Sequence, residues 1–211
     1  MAAAERPAVT VPRGRHAPPL EVRLTVQRRR LLEAAAAVFA RAGYAEAISR
    51  EAGMSKATFY EHFANKEECI LVLFDEAATE IMRAMAQASD AEGYGSYEER
   101  VSAGVRAFLD TLASHPDEAQ TLLVAIIGAG PRAAARRDTI LEAFADSLYR
   151  DNVRAAPKYG APTFASRDDA FAIIGACVEL VSRSLRTGSP PDVLALEPVI
   201  ARLMLGVLER A

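Results

Sequence analysis

The chain has 211 residues and a formal net charge of −3. That length can bury a core without covalent staples. Its two cysteines, Cys69 and Cys177, sit in no CxxC or Cys/His cluster, which excludes a disulfide framework and a zinc finger.

No apolar run reaches the length of a membrane span, and the first residues lack the apolar core of a secretory signal. The expectation is a cytoplasmic protein with no membrane partner, no cofactor and no metal site. Ala makes up about a fifth of the chain, which favours helix. Charge is unevenly spread. Residues 1–66 carry 11 Lys/Arg against 6 Asp/Glu, a net of +5, and residues 67–211 carry 14 against 22, a net of −8. A basic first third on an acidic remainder points to an anionic partner at one end.

Residues 1–24 hold four Pro and four Arg with little apolar periodicity, and read as a flexible basic arm charged by Arg13, Arg15 and Arg23. A helix is predicted from Thr25, a plausible N-cap, to Ala42, with Leu32, Ala35 and Phe39 on one face. Arg28, Arg29 and Arg30 would then crowd its first turn, where the helix dipole disfavours cations and a phosphate would compensate. Glu46–Ala52 can form two helical turns with Ile48 inward, and Gly53 offers positive φ for the turn that follows. Ser55 can cap a short helix from Lys56 to His62, and Asn65 a long one from Lys66 to about Ala88. Further helices are predicted at about 97–115, 117–129, 131–154, 167–187 and 192–210, punctuated by Pro and Gly. No run alternates as a strand. The expected fold class is all-α with about nine helices.

Short helix, Gly-containing turn and short helix outline a helix-turn-helix. Leu32, Phe39, Ile48, Phe59 and Phe63 can hold a three-helix unit that presents Lys56, Thr58, Tyr60 and His62 to a major groove. The stretches LLEAAAAVFARAGY (31–44) and AGMSKATFYEHFANKEECI (52–70) resemble the DNA-binding domain of the TetR/AcrR family of bacterial repressors. The PRGRHAPP segment (12–19) resembles basic arms of some actinobacterial members. The resemblance implies a homodimer on double-stranded operator DNA and a C-terminal domain binding a small-molecule effector. Carried over by position, Thr58, Tyr60, His62 and Lys66 hold phosphates, Lys56 and Ala57 face bases, and Ser55 is the cap. Arg28 is added as a further contact from the first helix. The family has about a dozen residues between its Gly-Tyr and the Ala-Gly of the turn, whereas Ala45–Glu51 is only seven. Either the second helix is short and uncapped, or residues are missing from this stretch; the second reading is favoured.

The expected domains are the arm (1–24), the helix-turn-helix domain (25–66) and an effector-binding and dimerisation domain (67–211). Phe108, Leu112, Leu123, Ile127, Phe144 and Tyr149 lie on inward faces of the middle helices. Most are expected to be core, with two or three lining a pocket. Glu179 interrupts an apolar run and reads as a polar anchor of the pocket or interface, or as an exposed flank. Ile174, Cys177, Val181, Ile200, Leu203, Met204 and Val207 are the expected dimer interface, with intrachain core as the alternative. The Cys177 thiol reads as inert packing. His16, His62 and His115 stand beside no nucleophile pattern, and no Gly-rich loop follows a strand, so no enzymatic activity is expected. The function expected is a ligand-responsive homodimeric repressor with a small, largely apolar effector, although sequence leaves activator open. The alternative is a helical small-molecule-binding protein with a degenerate DNA-reading head.

Overall fold

The computed structural model describes residues 19–41, 45–91 and 93–208, without the side chains of residues 40, 41, 45–47, 127 and 128. Among these the chain forms nine α-helices, three short 3-10 turns and no strand. It divides into two compact units, Met1–Cys69 and Ile70–Ala211. No helix among the described residues is long and apolar enough to cross a membrane.

In the first unit, α1 spans Leu20–Arg41. It therefore begins five residues before the expected Thr25. The chain enters the helix from Pro19: the Arg23 N–H donates to the Pro19 carbonyl at 3.1 Å, and Glu21 supplies the acidic first turn that the dipole favours. Thr25 is an interior residue whose hydroxyl donates to the Glu21 carbonyl at 2.9 Å. Arg28–Arg30 consequently lie in the third turn, away from the helix start where the dipole disfavours cations. The arm residues Arg13 and Arg15, and the expected stop at Ala42 and Gly43, lie outside the described residues.

α2 forms from the seven residues Ala45–Glu51. Ile48 is fully buried. Gly53 closes the turn at φ 65°, with the Met54 N–H donating to the Ser49 carbonyl at 2.8 Å. The Arg30 guanidinium donates to the Ala52 carbonyl at 3.3 Å and so ties the end of α2 to α1. α3 spans Lys56–His62 and α4 spans Lys66–Ser89. Leu31, Leu32, Ala35 and Val38 of α1 share the core with Ile48, Phe59 and Phe63, while Phe39 is only half-buried. The Phe59 and Phe63 rings lie 5.6 Å apart, and the Arg28 guanidinium sits 5.2 Å from the Phe63 ring centre.

The second unit continues α4 and adds α5 (Tyr97–Ser114), α6 (Pro116–Leu123), α7 (Pro131–Ala155), α8 (Arg167–Thr187) and α9 (Glu197–Leu208). Two expected helices are shorter than periodicity suggested. The one over 117–129 gives way at Val124 to a 3-10 turn, Ala125–Gly128. The one over 192–210 opens with a 3-10 turn, Val193–Leu196, capped by the Asp192 carboxylate. Pro198 can stand only in the first turn of a helix, which places the start of α9 at Glu197. Ser166 and Asp169 form a reciprocal capping box at the start of α8, and Gly188 ends it at φ 66°. α7 packs on α8, and α5 on α9. Leu109, Ile126, Ile173, Val181 and Ile200 are at the centre.

Polar groups inside this unit are paired across the chain. Asn152 is fully buried. Its amide donates to the Tyr97 hydroxyl at 2.8 Å, and its carbonyl accepts the Phe164 N–H at 2.8 Å. This pins the connection after α7 to the start of α5. Arg100, also buried, donates twice to Asp151 at 2.6 and 2.7 Å. Burial pushes the Asp151 carboxyl up, but hydrogen bonds from Arg100 and Arg154 outweigh it and hold it below the usual carboxylate range.

Candidate nucleic-acid interface and effector cavity

α3 is the candidate reading helix, and its capping is local. The Ser55 hydroxyl accepts the Thr58 N–H at 3.1 Å and lies 2.9 Å from the Thr58 hydroxyl. The next helix is fixed the same way. The Asn65 carbonyl accepts the Glu68 N–H at 2.9 Å, and the Glu68 carboxylate accepts the Ala64 N–H at 2.5 Å. The starts of α3 and α4 are therefore both fixed by short-range hydrogen bonds. Phe59 and Phe63, one turn apart, are the inward anchors, each about 1% exposed.

Opposite these anchors, Ser55, Lys56, Ala57 and Lys66 are exposed, and Thr58 is half-buried. Tyr60 is 52% exposed although its ring meets Phe59 edge-on at 5.4 Å. His62 fits the expected role less well. It is half-buried, and its Nε2 is shut off from solvent with no hydrogen-bond partner. Arg28 is half-buried, with its cation over the Phe63 ring. Lys56, Lys66 and Arg28 each have other contacts within the chain.

The second unit contains a cavity of about 80 Å³. α4 lines it with Phe74, Ala78, Ile81 and Met85, and α7 with Ile140, Leu141, Phe144 and Leu148. Of the pocket residues expected from sequence, Phe108, Leu123 and Phe144 line this cavity. Leu112 is buried in the core instead, and Tyr149 is half-buried away from the lining. The Ile127 side chain lies outside those described. Glu179 does not line the cavity: it is exposed and pairs with Arg186 at 2.7 Å, seven residues on along α8. Periodicity marks the inward face of a helix but not which inward residues border a void.

The expected dimer residues are largely redistributed. Ile174, Cys177, Ile200 and Met204 line the cavity, and Val181 is fully buried within the chain. These side chains are therefore consumed inside the chain's own core and cavity, and of the expected set only Leu203 and Val207 stay half-exposed. Burial pushes the Cys177 thiol up to about 12, which keeps it protonated and unreactive at neutral pH. The sequence reading passed over Arg137, the one charged residue in the lining. Its signal was present: Arg137, Ile140, Leu141, Phe144 and Leu148 follow helical spacing, so a cation stands in line with an apolar stripe.

Residues 31–73 match the family model described as bacterial regulatory proteins, tetR family. No curated protein matches the chain in sequence. Three solved structures resemble it along nearly their full length. The fatty acid degradation regulator FadR from Bacillus halodurans has a TM-score of 0.75 at 21% identity, covering 86% of this chain and 96% of its own. FadR from Bacillus subtilis, solved in complex with stearoyl-CoA, has a TM-score of 0.73 at 18% identity, covering 85% and 98%. The TetR-family regulator PfmR from Thermus thermophilus has a TM-score of 0.64 at 21% identity, covering 87% and 98%. Those likenesses give the fold, and the matched segment contains the whole of α2 and α3 with their capped turns. The chain therefore shares the fold of these regulators, and its residues 31–73 match the tetR family model.

Proposed function

We propose that the chain is a ligand-responsive homodimeric repressor, with operator affinity controlled by a small, largely apolar effector held in the second unit. The observation that carries this reading is the division of α3. Phe59 is spent on the core, while Lys56, Ala57 and Tyr60 remain at the surface. Lys56 and Ala57 are assigned to base edges, and Thr58, Tyr60 and Lys66 to phosphates. Ser55 acts as the cap that sets the helix start. Arg28 steadies Phe63 and reaches phosphate with the edge of its guanidinium. His62 joins the phosphate grip only after its ring turns to expose Nε2.

For the effector, support comes from the apolar cavity, since voids between bundle helices are normal ligand sites. The Bacillus subtilis FadR of similar fold holds stearoyl-CoA, an amphiphile with a long aliphatic part. α4 runs unbroken from Lys66 to Ser89 and lines the cavity with its later turns, so displacement there is passed along one helix. Such coupling requires the effector to prefer one arrangement of the reading heads. For the dimer, support comes from the outer faces of α8 and α9. Phe171 and Val199 are 39% and 38% exposed, and Gly175 and Ala176 allow close approach.

The test is fluorescence anisotropy of the full chain on the duplex upstream of its own gene, against a scrambled duplex, at two salt concentrations. Specific, salt-sensitive binding is expected. Tyr60→Phe combined with His62→Ala should weaken binding on every sequence, and Lys66→Ala should in addition reduce the salt slope by about 1. Lys56→Ala should instead change sequence preference. Weak, sequence-indifferent binding would favour the alternative, a helical small-molecule-binding protein with a degenerate head. Sedimentation of the same sample as a monomer at micromolar concentration would overturn the dimer.

A further inference from the structure

Taking the cavity as the effector site, we propose that the effector is an aliphatic carboxylate, its chain in the apolar void and its carboxylate held by Arg137. Every other lining residue is apolar apart from Cys177, so the cavity offers a ligand one polar anchor. That anchor is unsatisfied. The Arg137 side chain is only 29% exposed, and its one ionic neighbour among the described residues is Asp138 at 3.8 Å, beyond hydrogen-bond reach. Other arginines of the same unit are engaged. Arg136 holds Asp75 at 2.6 Å, Arg154 holds Asp90 and Asp151 at 2.8 Å, and Arg167 holds Glu142 at 2.5 Å. A half-buried guanidinium presents a planar fork of donors whose matching acceptor is a carboxylate.

Geometry orients the ligand. Arg137 precedes Leu148 by 11 residues on α7, a span of roughly 16 Å along the helix, with Ile140 and Phe144 between. The carboxylate belongs at the Arg137 end and the chain runs toward Leu148. The opposite end is unsuited to an anion. There Met85, Phe144 and Leu148 also wall a polar groove that contains Arg150 and Arg154 but equally Asp90 and Asp151. Arg154 is already neutralised by those two carboxylates. Volume bounds the chain: about 80 Å³ is near half the roughly 150 Å³ of an apolar cavity that accepts benzene. A chain of a few carbons fills that space, and a longer one enters only if the surrounding side chains move apart.

The experiment is isothermal titration of the full chain with propanoate, butanoate and pentanoate, each against the 1-alkanol of equal length. At neutral pH the carboxylate should bind roughly 10- to 100-fold more tightly than its alkanol, the increment of a charge-assisted hydrogen-bonded pair. Arg137→Gln should abolish that preference while leaving alkanol binding intact. Arg137→Lys should retain part of it, and Arg150→Gln all of it. Equal binding of acid and alkanol would overturn the carboxylate subsite while the effector cavity stands. So would a preference that survives Arg137→Gln, or one that is lost with Arg150→Gln. If no compound of either series binds or changes operator affinity, the effector reading fails together with the inference.

Discussion

Asp151→Asn tests the least local of the interactions described above. Arg100 and Asp151 lie 51 residues apart and join α5 to α7 through two hydrogen bonds of 2.6 and 2.7 Å. The Arg100 side chain is 6% exposed and that of Asp151 is 24% exposed. Asn keeps one acceptor but removes the charge, leaving a buried guanidinium uncompensated. Removing one partner of a buried pair costs about 3–5 kcal/mol; the partial exposure of Asp151 puts the expected loss near the lower bound, about 3 kcal/mol. For a chain of this size that corresponds to a fall in Tm of roughly 6–12 °C. The loss should depend on pH. The Asp151 carboxyl lies below its ordinary value in the folded state, so its contribution is complete above the unfolded pKa of about 4. It is lost as pH falls through the depressed folded value. Thermal melts of wild type and Asp151→Asn should therefore be far apart at pH 7 and converge below about pH 4. Replacing both partners, as Arg100→Leu with Asp151→Leu, should recover much of the loss, because an apolar pair leaves no charge stranded. A difference in Tm under about 2 °C at pH 7, or one unchanged on acidification, would refute this reasoning.

Three further outcomes are expected. Ser55→Ala removes the acceptor of the Thr58 N–H and should destabilise the first unit by about 1 kcal/mol, read by chemical denaturation, while Ser55→Asp should restore it. Gly53→Ala has open space around the new methyl but must hold φ near 65°, so it should cost about 1–2 kcal/mol; denaturation midpoints equal to wild type would contradict the turn geometry. Cys69 and Cys177 are both buried, so a thiol-reactive chromophore at pH 8 should label neither until denaturant is added. Rapid labelling of the native protein would show that the unit carrying the labelled cysteine opens readily.

The elements that sequence made legible are those set by neighbours a few residues away. Ser55 and Asn65 each find an N–H three residues on, and Phe59 and Phe63 share a face because they are one turn apart. Fold class and most helix limits follow from such signals. At the start of α1 two rules compete. Thr25 offers a cap, but Pro19 with Glu21 after it gives an earlier start, and nothing between Leu20 and Leu24 breaks a helix. The Arg100–Asp151 and Asn152–Tyr97 pairs were invisible for another reason. Each joins residues more than 50 positions apart, and no local pattern distinguishes them from surface polar residues.

The allocation of α8 and α9 shows what periodicity leaves undetermined. A helix that is apolar around most of its circumference has two faces to cover. On α8, Ile173, Ile174, Cys177 and Val178 go to the cavity, while Phe171, Gly175 and Ala176 stay on the outside. α9 divides in the same way, with Ile200 and Met204 inward and Val199, Leu203 and Val207 toward solvent. Sequence marked both helices as apolar enough for an interface but could not say which stripe met which partner. The division has a consequence for the proposed regulator. In the proposed dimer, the helices that wall the effector cavity on one side carry the subunit seam on the other. A chain entering the cavity presses on Cys177 and Met204, and a turn of α8 or α9 there displaces Phe171 and Val207 as part of the same rigid rods. Effector occupancy and subunit geometry would then be read by the same two helices, so substitutions that fill the cavity should mimic the effector in both.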